Sequence, residues 1–333
     1  MSASNPVLVE VTRGGAVESE HRGRAVVMRS SGSILWSVGD IDALTYPRSA
    51  IKAFQAMPMV ASGAVDALAI SDEELALCCG SHNGEPRHTA VADRFLQRLG
   101  LQSSVFECGS HWPMGQQATL DLAWNHRTPD ARHNNCSGKH LGMLALAMHE
   151  SWPLNGYVDP EHPVQQAIRH CIETCSDVTL DGAPLSPDGC TAPTWAMPLR
   201  SLALGYARFS APESQPAPYQ HAAQRLYTAV TQHPFLVAGT QRYCTEVMAA
   251  LGDQVFLKVG AEGVYVGSIP SLKLGIAIKM DSGSSPAAEV AMSAVLLRLG
   301  LAVPGAWQAP EIRNRNDLVT GCTRPVNNAF AAL

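Results

Sequence analysis

The sequence predicts an α+β fold: one antiparallel sheet built from both ends of the chain and flanked by helices, with a helix-rich insertion from about residue 60 to about residue 252. Three observations predict it. Short Val-rich runs separated by tight turns open the chain, longer amphipathic segments fill its middle third, and three further strand-like runs precede a last helix. At 333 residues and 46% hydrophobic the chain can bury a large core, and it is read as a single domain over 1–333. A net charge of -5 with scattered arginines lacks the basic footprint of a nucleic-acid or anionic-membrane binder. No run of eighteen apolar residues occurs, and the start, Met1 to Pro6, has neither the basic flank nor the apolar core of a signal peptide, so a cytoplasmic location is expected. Nine cysteines, with Cys78 and Cys79 adjacent, point to reduced thiols rather than a disulfide framework.

Val7 to Thr12, Ala25 to Met28 and Ile34 to Val38 read as strands joined by the Gly14-Gly15 and Ser31-Gly32 turns; connections this short favour antiparallel pairing. Tyr46-Pro47-Arg48-Ser49 leads into a helix over Ala50 to Met57, whose first turn carries Ser49 and Lys52 on one face. Ser71-Asp72-Glu73-Glu74 is a capping box for a helix reaching about Cys79, which ends in the polar turn Gly80-Ser81-His82-Asn83-Gly84. Helices follow over Arg87 to Leu99, Leu141 to Met148, Val164 to Thr174, Ala222 to Thr231 and Thr240 to Leu251. Strands return at Val255 to Val259, Val264 to Ser268 and Leu274 to Lys279, and a helix spans Ala287 to Leu299. The tail after Ala302 is weakly patterned, and no element is assigned to it.

Two groups of residues carry chemistry. Ser49-x-x-Lys52 alone also reads as a helix start with a capping serine and a solvated lysine. With Ser81-x-Asn83 and Lys258-x-Gly260 it forms the S-x-x-K, S-x-N, K-x-G order of penicillin-binding and β-lactamase-type serine enzymes, although S-x-N falls much nearer S-x-x-K than it does there. A serine hydroxyl needs a base; a neutral lysine serves if burial or a nearby cation, here Lys258, lowers its pKa from about 10.4. The second group is His133-Asn-Asn-Cys-Ser-Gly-Lys-His140, a polar loop feeding an apolar helix. Cys136 could be a thiol nucleophile with His140 as base and Asp188 orienting it, a buried inert cysteine, or a metal ligand with Lys139 and Cys190. Lysine is not a usual zinc partner.

The motifs Arg48-Ser49-Ala50-Ile51-Lys52, Cys79-Gly80-Ser81-His82, Asn135-Cys136-Ser137-Gly138-Lys139-His140, Asp188-Gly189-Cys190-Thr191-Ala192-Pro193-Thr194 and Lys258-Val259-Gly260-Ala261 together resemble the asparaginase II family, the Rhizobium etli type. Thr12-Arg13-Gly14-Gly15 and Arg242-Tyr243-Cys244 fit as well, and the resemblance spans about residues 6 to 300. It implies an L-asparagine amidohydrolase with a fold like serine β-lactamases and glutaminases, acting as a homodimer. It also implies two catalytic serine and lysine pairs, Ser49 with Lys52 and Ser81 with Lys258, beside a zinc site of Cys136, Lys139 and Cys190 that supports substrate binding more than chemistry.

On this reading Ser49 attacks the side-chain amide of asparagine, ammonia leaves, and water hydrolyses the aspartyl ester, with Arg48, Asn135, His140 and Asp188 holding the charged ends of the substrate. Two other classes stay open at the level of sequence. One is a penicillin-binding or β-lactamase-like acyl-transfer enzyme, against which the absent signal peptide weighs; the other is a non-catalytic zinc-stabilised binding protein.

Overall fold

The computed structural model describes residues 4–333; Met1–Ala3, part of the polar start, lie outside them. The chain divides into two compact units: Met1–Ala50 with Met197–Ala211 and Val247–Leu333, and Ile51–Ala196 with Pro212–Glu246. The helix-rich stretch expected between about residues 60 and 252 corresponds mostly to the second of these.

The first unit is the sheet. Among the described residues it has eight antiparallel strands, ordered Glu311–Arg313, Val319–Pro325, Val7–Arg13, Ala16–Arg29, Leu274–Met280, Val264–Ile269 and Phe256–Gly260, with Ile34–Val38 added on Ala16–Arg29. The two ends of the chain therefore meet in one sheet, as the sequence pattern predicts. Val264–Ile269 is buried at every position because the helix Leu199–Phe209 and the helix Ser285–Arg298 both pack on the sheet there. A strand covered on both faces loses the alternation of a half-exposed one.

Three elements of this unit were not legible in the pattern. The first half of Ala16–Arg29 is polar and exposed, and it is a strand through its backbone pairing with Val7–Arg13. Val319–Pro325 in the tail pairs with that same strand from more than 300 residues away. The helix Leu199–Phe209 starts after Pro198 with no side-chain cap and contains Gly205, so its termination signals are missing.

The second unit is helical. Lys52–Ala61 packs against Ser137–His149, Pro163–Ser176 and Gln220–Gln232 and is buried along nearly its whole length. The capping box forms as read: Ser71 Oγ accepts from Glu74 N at 3.4 Å, and Glu74 Oε2 accepts from Ser71 N at 2.7 Å. Glu74 is then paired with Arg98 at 3.1 Å, so its burial is compensated. A helix at Gln116–Trp124, absent from the sequence reading, exposes Leu120 and Trp124 and so carries no single apolar face.

One contact in this unit sets where the polar loops meet. At Gly138 an added Cβ would stand 2.2 Å from Leu77 O, so the helix Ser137–His149 crosses the end of Asp72–Cys78 at backbone contact. That crossing brings the Asn135-Cys136 loop beside Gly80-Ser81. His82 N then donates to Asn135 O at 3.2 Å.

Candidate active site

In the first unit, Ser49 lies in a 3-10 turn, Arg48–Ile51, that runs directly into the helix beginning at Lys52. Its Oγ is half-buried and has no hydrogen-bond partner among the described residues. Arg48 opens the turn in the left-handed region, with φ 51°. Lys258, fully buried in the strand Phe256–Gly260, donates from Nζ to Val259 O at 2.7 Å. Two residues on, Gly260 comes so close to Pro47 O that a Cβ would meet it at 2.6 Å and the Ala50 Cβ at 3.2 Å. The K-x-G strand thus lies against the segment that carries Ser49, and only glycine fits there.

In the second unit, Lys52 is fully buried. Its Nζ donates to Ser81 Oγ at 3.0 Å, to Asn135 O at 3.2 Å and to Gly80 O. An ammonium has three donors, so the three acceptors saturate it. The geometry joins Lys52 to Ser81, one member from each serine and lysine pair that the resemblance implies. Ser81 to Asn83 is extended: Ser81 N donates to Val237 O and Asn83 N to Ala238 O, both at 2.8 Å, while His82 N points the other way, to Asn135 O. Ser81 and Asn83 therefore share a face, and His82 occupies the opposite one.

His82 is structural. Its Nδ1 accepts from Gly84 N at 3.1 Å, so Nε2 carries the proton and donates to Ser137 Oγ at 2.9 Å, and Ser137 Oγ in turn donates to Arg132 O at 3.1 Å. Burial holds this ring far below the usual histidine range, in its neutral form.

Beside this lie the two cysteines and the second lysine. Lys139 Nζ stands 2.9 Å from Cys190 Sγ, and Cys136 Sγ donates to Asn135 Oδ1 at 3.2 Å. All three side chains are buried. The two sulfurs are pushed apart in acidity: interaction with Cys190 and burial push Cys136 up to about 12, while interaction with Cys136 and the charge of Lys139 draw Cys190 down to about 5. Burial opposes the charge on Lys139, and the Cys190 thiolate outweighs it and raises the amine.

Among the described residues no three His, Cys, Asp or Glu converge, so a metal here would need Lys139 as its third donor. The donor set fits zinc. Two sulfurs and an amine are buried together, and a bound metal would favour their deprotonated forms.

The remaining expected binders are placed around these groups. Asn135 N donates to His111 Nε2 at 2.9 Å, and its side-chain Oδ1 accepts from Cys136 Sγ at 3.2 Å. Asp188 Oδ1 accepts from Gly189 N at 2.9 Å and adds negative charge near Lys139. His140 Nδ1 meets Tyr157 OH at 2.7 Å, and its buried Nε2 has no partner. Tyr157 OH also accepts from Glu107 N at 2.9 Å. Burial lowers this imidazole to about 3, so it is neutral. Tyr157 has no signal in the sequence, and the backbone acceptors Gly80 O and Asn135 O could not have one.

Of solved structures, a β-lactamase from Mycobacterium bovis aligns with 15% identity and a TM-score of 0.42, covering 84% of this chain and 95% of that one. Mglu, in its tris and glutamate form, aligns with 16% identity and a TM-score of 0.42, covering 84% of this chain and 60% of that one. No curated protein sequence matches significantly. Residues 9–325 match the family described as L-asparaginase II, nearly the whole chain, and the protein therefore belongs to the L-asparaginase II family.

Proposed function

We propose that the protein is an L-asparagine amidohydrolase that uses Ser49 as nucleophile. The observation that carries this is a fully buried Lys52 bonded at 3.0 Å to Ser81 Oγ, three residues along the same helical run from a serine hydroxyl with no partner. A neutral amine at this spacing can serve as the general base that a serine hydroxyl needs.

In the proposed reaction Lys52 takes the Ser49 proton, with Ser81 Oγ as its relay, and Ser49 Oγ bonds to the side-chain amide carbon of asparagine. The proton passes to the amide nitrogen, the C–N bond breaks, and ammonia leaves an aspartyl ester on Ser49. Water, deprotonated by the same lysine, then adds to the ester; the C–O bond to Ser49 breaks, aspartate leaves, and the serine recovers its proton. Arg48, Asn135, His140 and Asp188 are proposed to hold the substrate's charged ends.

Cys136, Lys139 and Cys190 would hold a zinc ion, which when bound supplies a Lewis-acidic anchor for substrate. The protein is proposed to act as a homodimer, an implication of the resemblance that a solution mass measurement decides. The primary test is ammonia release from L-asparagine by purified protein. Folded protein that releases none from asparagine, glutamine or related amides overturns the reading.

A further inference from the structure

The loop Gly239 to Gln241 is held in a conformation that its sequence does not favour. Gly239 has φ 124°, and a Cβ there would stand 2.6 Å from Glu85 Oε1 and 2.7 Å from Asn83 Nδ2; Gln241 has φ 58° with a full side chain. Backbone in such regions persists where its surroundings over-determine it. Here they do: Glu85 Oε1 accepts from Thr240 N at 2.9 Å and from Asn83 Nδ2 at 2.8 Å, and Glu85 Oε2 accepts from Thr240 Oγ1 at 2.7 Å. Asn83 Nδ2 also donates to Thr240 O at 3.1 Å.

These bonds do more than pin the loop. With both amide hydrogens of Asn83 taken by Glu85 and Thr240, its Oδ1 is the only group left to face the next residue, and it accepts from Arg242 Nη1 at 2.9 Å. Arg242 is half-buried and has no carboxylate partner among the described residues. A guanidinium has five donors in a fixed fork, and a single bond to a neutral amide leaves its charge and most of that fork unused.

We infer that Arg242, presented by the Glu85–Asn83–Thr240 network, binds the α-carboxylate of the amino-acid substrate beside the Lys52–Ser81 pair. This rests on the proposed amidohydrolase activity and deepens it. Asn83 shares a face with Ser81 two residues away, about 7 Å along extended chain. The reacting carbon of asparagine is three bonds from its carboxylate carbon, about 4 Å. Adding about 3 Å at each end, for contact at the Ser81 hydroxyl and for a charged hydrogen bond, gives about 10 Å, which the roughly 7 Å from Ser81 to Asn83 and the 2.9 Å bond on to Arg242 together span. Glu85 and Asn83 are positioning residues in this scheme.

The test compares L-asparagine with L-asparagine methyl ester, which keeps the side-chain amide and lacks the carboxylate charge. Arg242→Gln is expected to raise KM for asparagine roughly 10-fold to 100-fold with kcat little changed, and to leave KM for the ester unaltered. Arg242→Lys should recover part of the loss, and Glu85→Gln should show a weaker form of the same selective rise. An unchanged KM for asparagine, an equal rise for both substrates, or a selective loss in Arg48→Gln instead of Arg242→Gln overturns the assignment. Should wild-type protein release no ammonia, the amidohydrolase reading fails by itself. The clamp is then read from the rise in melting temperature with L-aspartate, which must be present in wild type and absent in Arg242→Gln; a rise that survives the substitution overturns it.

Discussion

Gly138→Ala is the sharpest probe of how the fold builds the site. The substitution adds one methyl group whose carbon would stand 2.2 Å from Leu77 O, 2.5 Å from Leu77 C and 2.7 Å from Leu77 Cγ. Two of these are backbone atoms and cannot rotate away. Relief to the 3.0 Å that real Cβ atoms keep requires at least 0.8 Å of helix displacement. The helix that must move carries Lys139, and the segment it presses on leads three residues later to Gly80 and Ser81. Overpacking of this kind costs about 1–3 kcal/mol of stability, and a shift near 1 Å at a reacting centre costs on the order of 100-fold in rate. Ammonia release and thermal unfolding are measured on Gly138→Ala beside Gly305→Ala, whose Cβ meets nothing within 4 Å. The expected result is a lower melting temperature and a kcat/KM reduced by about two orders of magnitude in the first variant alone. Wild-type values for Gly138→Ala would refute the account of helix crossing and site assembly together.

Three further outcomes are expected. Ser49→Ala should abolish ammonia release, whereas Cys136→Ala should lower bound zinc and raise KM while leaving measurable turnover; a Cys136→Ala protein as inactive as Ser49→Ala would restore the thiol as nucleophile. His88 is fully buried, donating from Nε2 to Phe235 O at 3.0 Å and stacked on His82 and Phe235. Burial lowers its pKa to about 4, so as pH falls from about 6.5 to about 4 the unfolded chain takes up a proton that the folded one refuses. Stability on this account is intact above pH 6.5 and declines by up to roughly 3 kcal/mol at pH 4. Urea midpoints across that range should fall less steeply for His88→Gln than for wild type, and parallel profiles would contradict it.

The legibility of this chain differs by element for identifiable reasons. The Ser71 capping box, the strand Ile34–Val38 and the helix ending at Leu99 before Gly100 (φ 65°) were readable because each is specified by neighbours in sequence. Val319–Pro325 was not, since its partner lies at the other end of the chain and backbone pairing leaves little trace in side-chain pattern. The site divides along the same line. Arg48 to Lys52, Asn135 to His140 and Asp188 to Cys190 stand out because several reactive residue types crowd into short stretches, and the family match over residues 9–325 agrees with the resemblance they carry.

By itself, then, the sequence determined the inventory: which candidate reactive residues the chain holds, that strands from both termini frame a helical middle, and which family the chain joins. Tertiary structure alone decided the partnerships. Lys52 bonds to Ser81, Lys139 meets Cys190, and Arg242 faces Asn83. These depend on where two helix backbones meet at Gly138 and on how a strained loop is pinned by Glu85. Distances of about 3 Å between groups separated by tens to more than a hundred residues are set by the packing of whole elements, which no local spacing encodes.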